Sequence, residues 1–236
     1  MKISIITLFP KMISGFFEES IVKRAIEKKL VKIEIVNLRD FAIDDYGSVD
    51  DRPYGGGAGM ILRIEPIYRA ISKIKNQISK PQIKNQKEKT ILTSPKGKKF
   101  DQKKAQEYSK LDNLIIIAGH YEDVDARVLD LVDEEISMGD FVLTGGEIPA
   151  AAIVDSIVRL IPGVLKKNDA TTNESFNIGG KKLLEYSQYT RPEEFMGKKV
   201  PAVLLSGDPK KINKWQSEQA IKETENKRKD LLDNHK

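Results

Sequence analysis

Apolar and polar positions change period several times along the chain, and each change marks an element. Residues 1–9 form an almost unbroken apolar, β-branched run closed by Pro10, which predicts a buried strand. Phe17, Ile21, Ala25, Ile26 and Leu30 then recur at helical spacing behind Ser14, a residue suited to cap them, so 14–30 reads as a helix. Residues 32–38 alternate and read as a second strand. A polar, glycine-rich stretch over 44–60 reads as a long loop, and 64–75 as a helix. Polar residues interrupted by Pro81 make 76–90 a mobile surface loop. Beyond it come a short strand at 91–94, a polar helix at 101–110, and LIIIA at 114–118. The last is apolar on both faces, as in a covered strand of a parallel sheet. A helix near 124–131, a strand over 136–143 running into Gly145 and Gly146, and a helix over 149–161 ending before Pro162 complete the alternation.

Strands alternating with helices predict an α/β domain over 1–165. Residues 166–180 are polar and aperiodic, a flexible interdomain linker. Residues 181–236 carry helical patterns near 192–196 and 209–232 and few strand signals, so they read as a small, mainly helical C-terminal domain.

Composition narrows the function classes. At 236 residues, with 39% hydrophobic and 32% charged residues, the chain has enough apolar material for a real core and too much for a disordered chain. It has no cysteine and two histidines, His120 and His235, which excludes a disulfide framework and argues against a histidine zinc site. No apolar run approaches the roughly 18 residues of a membrane span, so a soluble, cytoplasmic protein is expected. The net charge of +5 is unevenly spread. Residues 72–110 hold twelve lysines against three acids, whereas 111–165 are strongly acidic with Arg127 and Arg159 as their only Lys or Arg. Such basic flanks suit a polyanion, and equally suit lysines that solvate surface helices.

The glycine loop Tyr54–Met60 lacks a strand directly before it, and G-x-G-x-x-G would need glycine where Met60 stands. The P-loop and the G-x-S-x-G elbow are absent, and His120 has no nucleophile at motif spacing. Dehydrogenase and hydrolase readings therefore lose their support. Three segments remain at the carboxyl ends of predicted strands, where open α/β sheets bind ligands. They are Thr93-Ser94-Pro95, Gly119-His120-Tyr121-Glu122 and Ser137–Glu147, and their coincidence predicts one shared pocket.

In this order, YGGGAGM, TSPKG, AGHYEDVDARV, SMGDFVLTGGE, RLIPGVL, YTRP and VPAVLLSGDPKKINKW resemble the bacterial tRNA (guanine-N1)-methyltransferase family, from Met1 to about Leu232. The resemblance implies a SPOUT-type α/β domain whose parallel sheet carries a deep trefoil knot, and a homodimer acting on tRNA. The reaction it implies is methyl transfer from S-adenosylmethionine to N1 of guanosine 37, just 3′ of the anticodon. By motif position the donor site is Thr93, Ser94, Pro95, Gly119, Tyr121 and Glu122. It continues through Ser137, Met138, Gly139, Asp140, Phe141, Val142, Leu143, Gly145 and Gly146. Glycines there admit backbone groups to the adenine edge, while Met138, Phe141 and Leu143 supply apolar walls or ordinary core.

Guanine N1 carries a proton, so the reaction needs a base, a positive group for charge building on O6, and alignment of N1, methyl and sulfur. The resemblance assigns the arginine to Arg159, in RLIPG, and the carboxylate to Glu174, in NESF, where the family has aspartate. It also implies dependence on Mg²⁺. The sequence has no dedicated octahedral cage, and a hydrated ion held by Glu122 or Glu174 is left open. Two further departures are Asp123, where the family has glycine, and Ser187-Gln188 before YTRP. The C-terminal clamp on tRNA would comprise Arg191, Lys198, Lys199, Lys210, Lys211, Lys214 and Trp215, with Trp215 either stacking on a base or filling core. Residues 166–178 are expected to be disordered without tRNA. The alternatives are a methyltransferase for ribosomal RNA and an RNA-binding module that lost activity through Glu174.

Overall fold

The computed structural model of the chain describes residues 1–78, 86–166 and 171–232. They fall into two units, Met1–Leu165 and Lys166–Lys236.

The first unit is built on strands β1 (Lys2–Thr7), β2 (Lys32–Asn37), β5 (Glu88–Lys99), β6 (Asn113–Ala118) and β8 (Glu134–Ser137). They pair in the order β2-β1-β6-β5-β8, every pair parallel. A smaller sheet joins β3 (Asp50–Asp51), β4 (Ile61–Leu62) and β7 (Asp123–Val124). Helices α1 (Ser20–Glu27), α2 (Ile64–Ile78), α3 (Gln102–Tyr108) and α4 (Glu147–Val158) cover the main sheet. Because side chains alternate across a strand, one face presents Ile3, Ile5, Ile91, Leu114 and Ile116 to Val22, Tyr108, Ile153 and Ile157. The other presents Ile6, Leu92, Ile115 and Ile117 to Ile67, Ala70, Ile71 and Ile74 of α2. All six residues of β6 are buried, which matches its apolar run. Each such isoleucine contributes about 1.5–3 kcal/mol by burial.

The second unit has helices α5 (Ala202–Leu205) and α6 (Pro209–Lys227). Two ribbons accompany them: β9 (Asn173–Glu174) with β10 (Asn177–Ile178), and β11 (Glu194–Phe195) with β12 (Lys198–Lys199). Asp208 caps α6 by accepting from Lys210 N at 3.0 Å. The buried Thr224 hydroxyl accepts from Leu184 N at 2.8 Å and so pins an extended segment to α6. Trp215 is half-buried, its ring centre 6.3 Å from Tyr186 and 6.4 Å from Tyr189. Among the described residues no helix is long and apolar enough to cross a membrane.

Several local expectations are corrected. The helix expected over 14–30 is a 3-10 turn (Ser14–Phe17) followed by α1, because the chain breaks at Ser20, with φ 54°, to bury Phe17. Strand β5 runs on through Lys99 instead of stopping at 94, and bulges between Thr93 and Lys98. Residues 126–131 are 3-10, opened by Asp125 accepting from Arg127 N at 2.9 Å. The strand expected over 136–143 ends at Ser137, whose hydroxyl bonds Gly139 N and O at 3.1 Å and turns the chain. Near 192–196 stands a hairpin, not a helix. Met196 and Gly197, with φ 51° and 76°, form the left-handed turn that such hairpins need. Of the loop expected over 76–90, residues 76–78 end α2, 88–90 begin β5, and 79–85 lie outside the described residues. The expected linker, 166–180, carries the β9–β10 ribbon, and its residues 167–170 also lie outside.

The basic stretch 72–110 pairs inward. Glu134, only 11% exposed, accepts from Lys89 Nζ at 2.9 Å, from Tyr108 Oη at 2.7 Å and from Lys104. Burial raises its pKa, but the three hydrogen bonds outweigh that and bring it down to about 2 from the usual 4.5. Burial pushes the Tyr108 phenol up. A depressed carboxylate stabilises the fold above its unfolded value, and that stability is lost as pH falls from about 4.5 through about 2. Glu134→Gln is therefore expected to cost about 1–3 kcal/mol at pH 7. The gap from wild type in thermal unfolding should shrink steadily below pH 4.

Candidate functional site

Three segments, the bulged middle of β5 and the stretches at the carboxyl ends of β6 and β8, line one cleft that opens to solvent. The first contributes Thr93, Ser94 and Pro95. Thr93 and Ser94 are buried, and Thr93 Oγ1 donates to Ile117 O at 3.1 Å, tying β5 to β6 beside the cleft. The second contributes Gly119 through Asp123. Tyr121 takes a left-handed φ of 61° and stands 41% exposed at the mouth. Glu122 N donates to Met60 O at 3.2 Å, which brings the glycine loop against this segment. The third contributes Ile136 through Gly139, Phe141 through Leu143, and Gly145 and Gly146. Phe141 and Val142 are 56% and 87% exposed, so they stand at the rim and not in the core.

The cleft closes through a backbone contact. Gly146 N donates to Gly119 O at 2.6 Å, and Gly145 forms an antiparallel bridge with His120. A Cβ on Gly146 would lie 2.0 Å from Thr93 Oγ1 and 2.9 Å from Gly119 N, so only glycine lets the third segment lie on the other two.

Of the fifteen residues assigned to the donor site, the cleft brings fourteen together. Asp140 is the correction. It is exposed and turned away from the wall, with its carboxylate on Lys99 Nζ at 2.8 Å. Lys96 Nζ meets Asp123 at 2.5 Å, and the carboxylate holds that ammonium above the usual lysine range. Both lysines stand on the part of β5 that runs beyond residue 94. His120 on the wall and Glu147 beneath it fall within the segments expected to converge, though neither was assigned to the donor; Ile136 and Pro149, also on the wall, were not anticipated. A fully buried glutamate carries no sequence signal, because the partners that neutralise it lie far along the chain.

Arg159 is half-buried at the carboxyl end of α4 and does not line the cleft. Glu174 is half-buried on β9, in the second unit. Among the described residues no three His, Cys, Asp or Glu side chains cluster to hold a metal. Glu122 is exposed.

Comparison with known proteins adds the family. A family model described as tRNA (Guanine-1)-methyltransferase TrmD matches residues 1–234. A tRNA (guanine-N(1)-)-methyltransferase of Dictyoglomus turgidum is 49% identical over 99% of this chain and 90% of its own length. One from Clostridium botulinum is 50% identical over 99% and 93%. One from Carboxydothermus hydrogenoformans is 49% identical over 98% and 87%.

Gly146→Ala is expected to lower the melting temperature by several degrees, corresponding to about 2 kcal/mol, and to speed amide exchange in 119–122 and 137–146. Gly15→Ala, which meets nothing within 4 Å, is the control and should leave both unchanged.

Proposed function

The chain belongs to the tRNA (guanine-1)-methyltransferase family, and from that premise we propose that it transfers a methyl group from S-adenosylmethionine to N1 of guanosine 37 in tRNA. The observation that carries the donor assignment is the convergence of the β5 bulge and the segments after β6 and β8 on one cleft. Thr93, Gly119, Tyr121, Ser137 and Gly145 would hold the adenosine by backbone groups and hydroxyls, and Met138 and Leu143 would cover its apolar faces. The sulfonium supplies an already electrophilic methyl, so the protein's task is placement and proton removal.

Glu174 takes the N1 proton, and the Arg159 guanidinium stabilises the negative charge that then builds on O6. Glutamate here reaches about 1.5 Å further than the family's aspartate. Because an uncompensated error of that size would cost on the order of 10²-fold, this reading requires the chain that carries Glu174 to back away by a similar distance. The same reading has the first unit knotted as a trefoil around the cleft and paired as a homodimer. It has the second unit grip tRNA through Arg191, Lys198, Lys199, Lys210, Lys211, Lys214 and Trp215, in the cytoplasm. The lysines of β12 and α6 support the grip.

Labelled methyl should pass to a tRNA carrying guanosines at 36 and 37 and not to its A37 variant; ribosomal RNA fragments serve as the rival acceptor. Glu174→Gln should cut turnover at least 10²-fold with donor affinity within twofold of wild type. Near-normal turnover in that variant would remove Glu174 from the base role. Arg159→Ala should cut turnover comparably.

A further inference from the structure

Glu147 is completely buried, and nothing in the proposed chemistry uses it. It opens α4, and its two oxygens have different partners: Oε1 meets Thr7 Oγ1 at 2.8 Å, and Oε2 meets His120 Nδ1 at 3.2 Å. Hydrogen-bond bookkeeping sets the directions. Thr7 Oγ1 accepts from Phe9 N at 2.9 Å, so its single proton goes to Glu147. A carboxylate in the first turn of a helix is favoured by the helix dipole. A buried charge with one neutral donor is nevertheless costly until a second donor arrives. His120 supplies that donor in the tautomer that carries its proton on Nδ1.

The three residues come from β1, from the segment after β6 and from the start of α4. They meet behind the Gly145–Gly146 wall. A Cβ on Gly145 would lie 2.3 Å from both Glu147 Oε2 and His120 Nδ1, so the pair closes directly under that glycine. His120 also reaches the cleft itself, with its ring 4.4 Å from Phe9 and 5.1 Å, edge-on, from Tyr121.

We propose that Thr7, Glu147 and His120 form a buried hydrogen-bonded strut that sets the Gly145–Gly146 wall and the Tyr121 edge of the donor cleft. His120 is thereby a positioning residue for the methyl donor. Removing its Nδ1 donor strands the Glu147 carboxylate, and the wall relaxes away from Gly119. The defect falls on donor binding and spares the chemical step.

The inference rests on the donor reading of the cleft, and calorimetric titration of the full chain with S-adenosylmethionine separates the two. Wild-type protein that takes up no donor overturns that reading. Wild-type protein that binds, with variants that bind equally well, overturns only the strut. His120→Leu should weaken donor binding about tenfold or more and raise the donor KM by a similar factor, with kcat at saturating donor within about twofold. His120→Asn, whose side-chain amide presents an N–H near the place of Nδ1, should retain affinity within about threefold. Asparagine as poor as leucine, or a fall in kcat without a change in KM, would refute the strut. Glu147→Gln provides a second route should the leucine variant fail to fold. It is also expected to weaken donor binding, and adding it to His120→Asn should produce less than the product of the two separate losses. Multiplicative losses count against coupling.

Discussion

Every strand of the main sheet points the same way, and the rest of the site depends on that. Parallel pairing brings the bulge of β5 beside the carboxyl ends of β6 and β8, so three segments far apart in sequence must share a small space. Gly146, which carries no side chain, lets them come this close. Its amide approaches Gly119 O to 2.6 Å, in a gap that a methyl group would fill. The hydrophobic layers on either face hold the strands, and the strands hold the loops. The cleft is therefore a consequence of the core's directionality more than of any one residue on its wall.

Charge is organised on the same plan. The basic stretch 72–110 and the acidic stretch after it look like a polyanion site beside a reactive centre. In the fold, Lys89 and Lys104 meet Glu134, Lys96 meets Asp123, and Lys99 meets Asp140. Much of the asymmetry is thus internal complementarity between β5 with α3 and the segments that follow. Exposed pairs such as Lys99–Asp140 contribute little to stability. The half-buried Glu134 cluster contributes more, because its carboxylate is held by three donors in a drier setting. Buried charge recurs at Glu147, whose partners come from two other segments.

Local misreadings share a cause. Periodicity follows apolar spacing, whereas element ends are set by backbone turns that spacing does not record. Ser20, Met196 and Gly139 each take a left-handed or extended-turn φ, and each ends an element earlier or differently than the pattern implied. The tip of the β11–β12 hairpin carries Phe195 and Met196, apolar residues that imitate a helix face yet stand 67% and 86% exposed.

The sequence by itself determined the α/β character of residues 1–165, the buried strands, and the meeting of fourteen of the fifteen named residues at one cleft. It could do so because apolar runs, glycine-rich strand ends and ordered motifs are local properties of the chain. Only the tertiary structure decided that Asp140 faces Lys99 instead of the cleft, that β5 carries two lysines to the acidic segments, and that Glu147 lies sealed between Thr7 and His120. Those facts depend on which distant residues meet. That is fixed by strand order and packing, and no spacing along the chain encodes it.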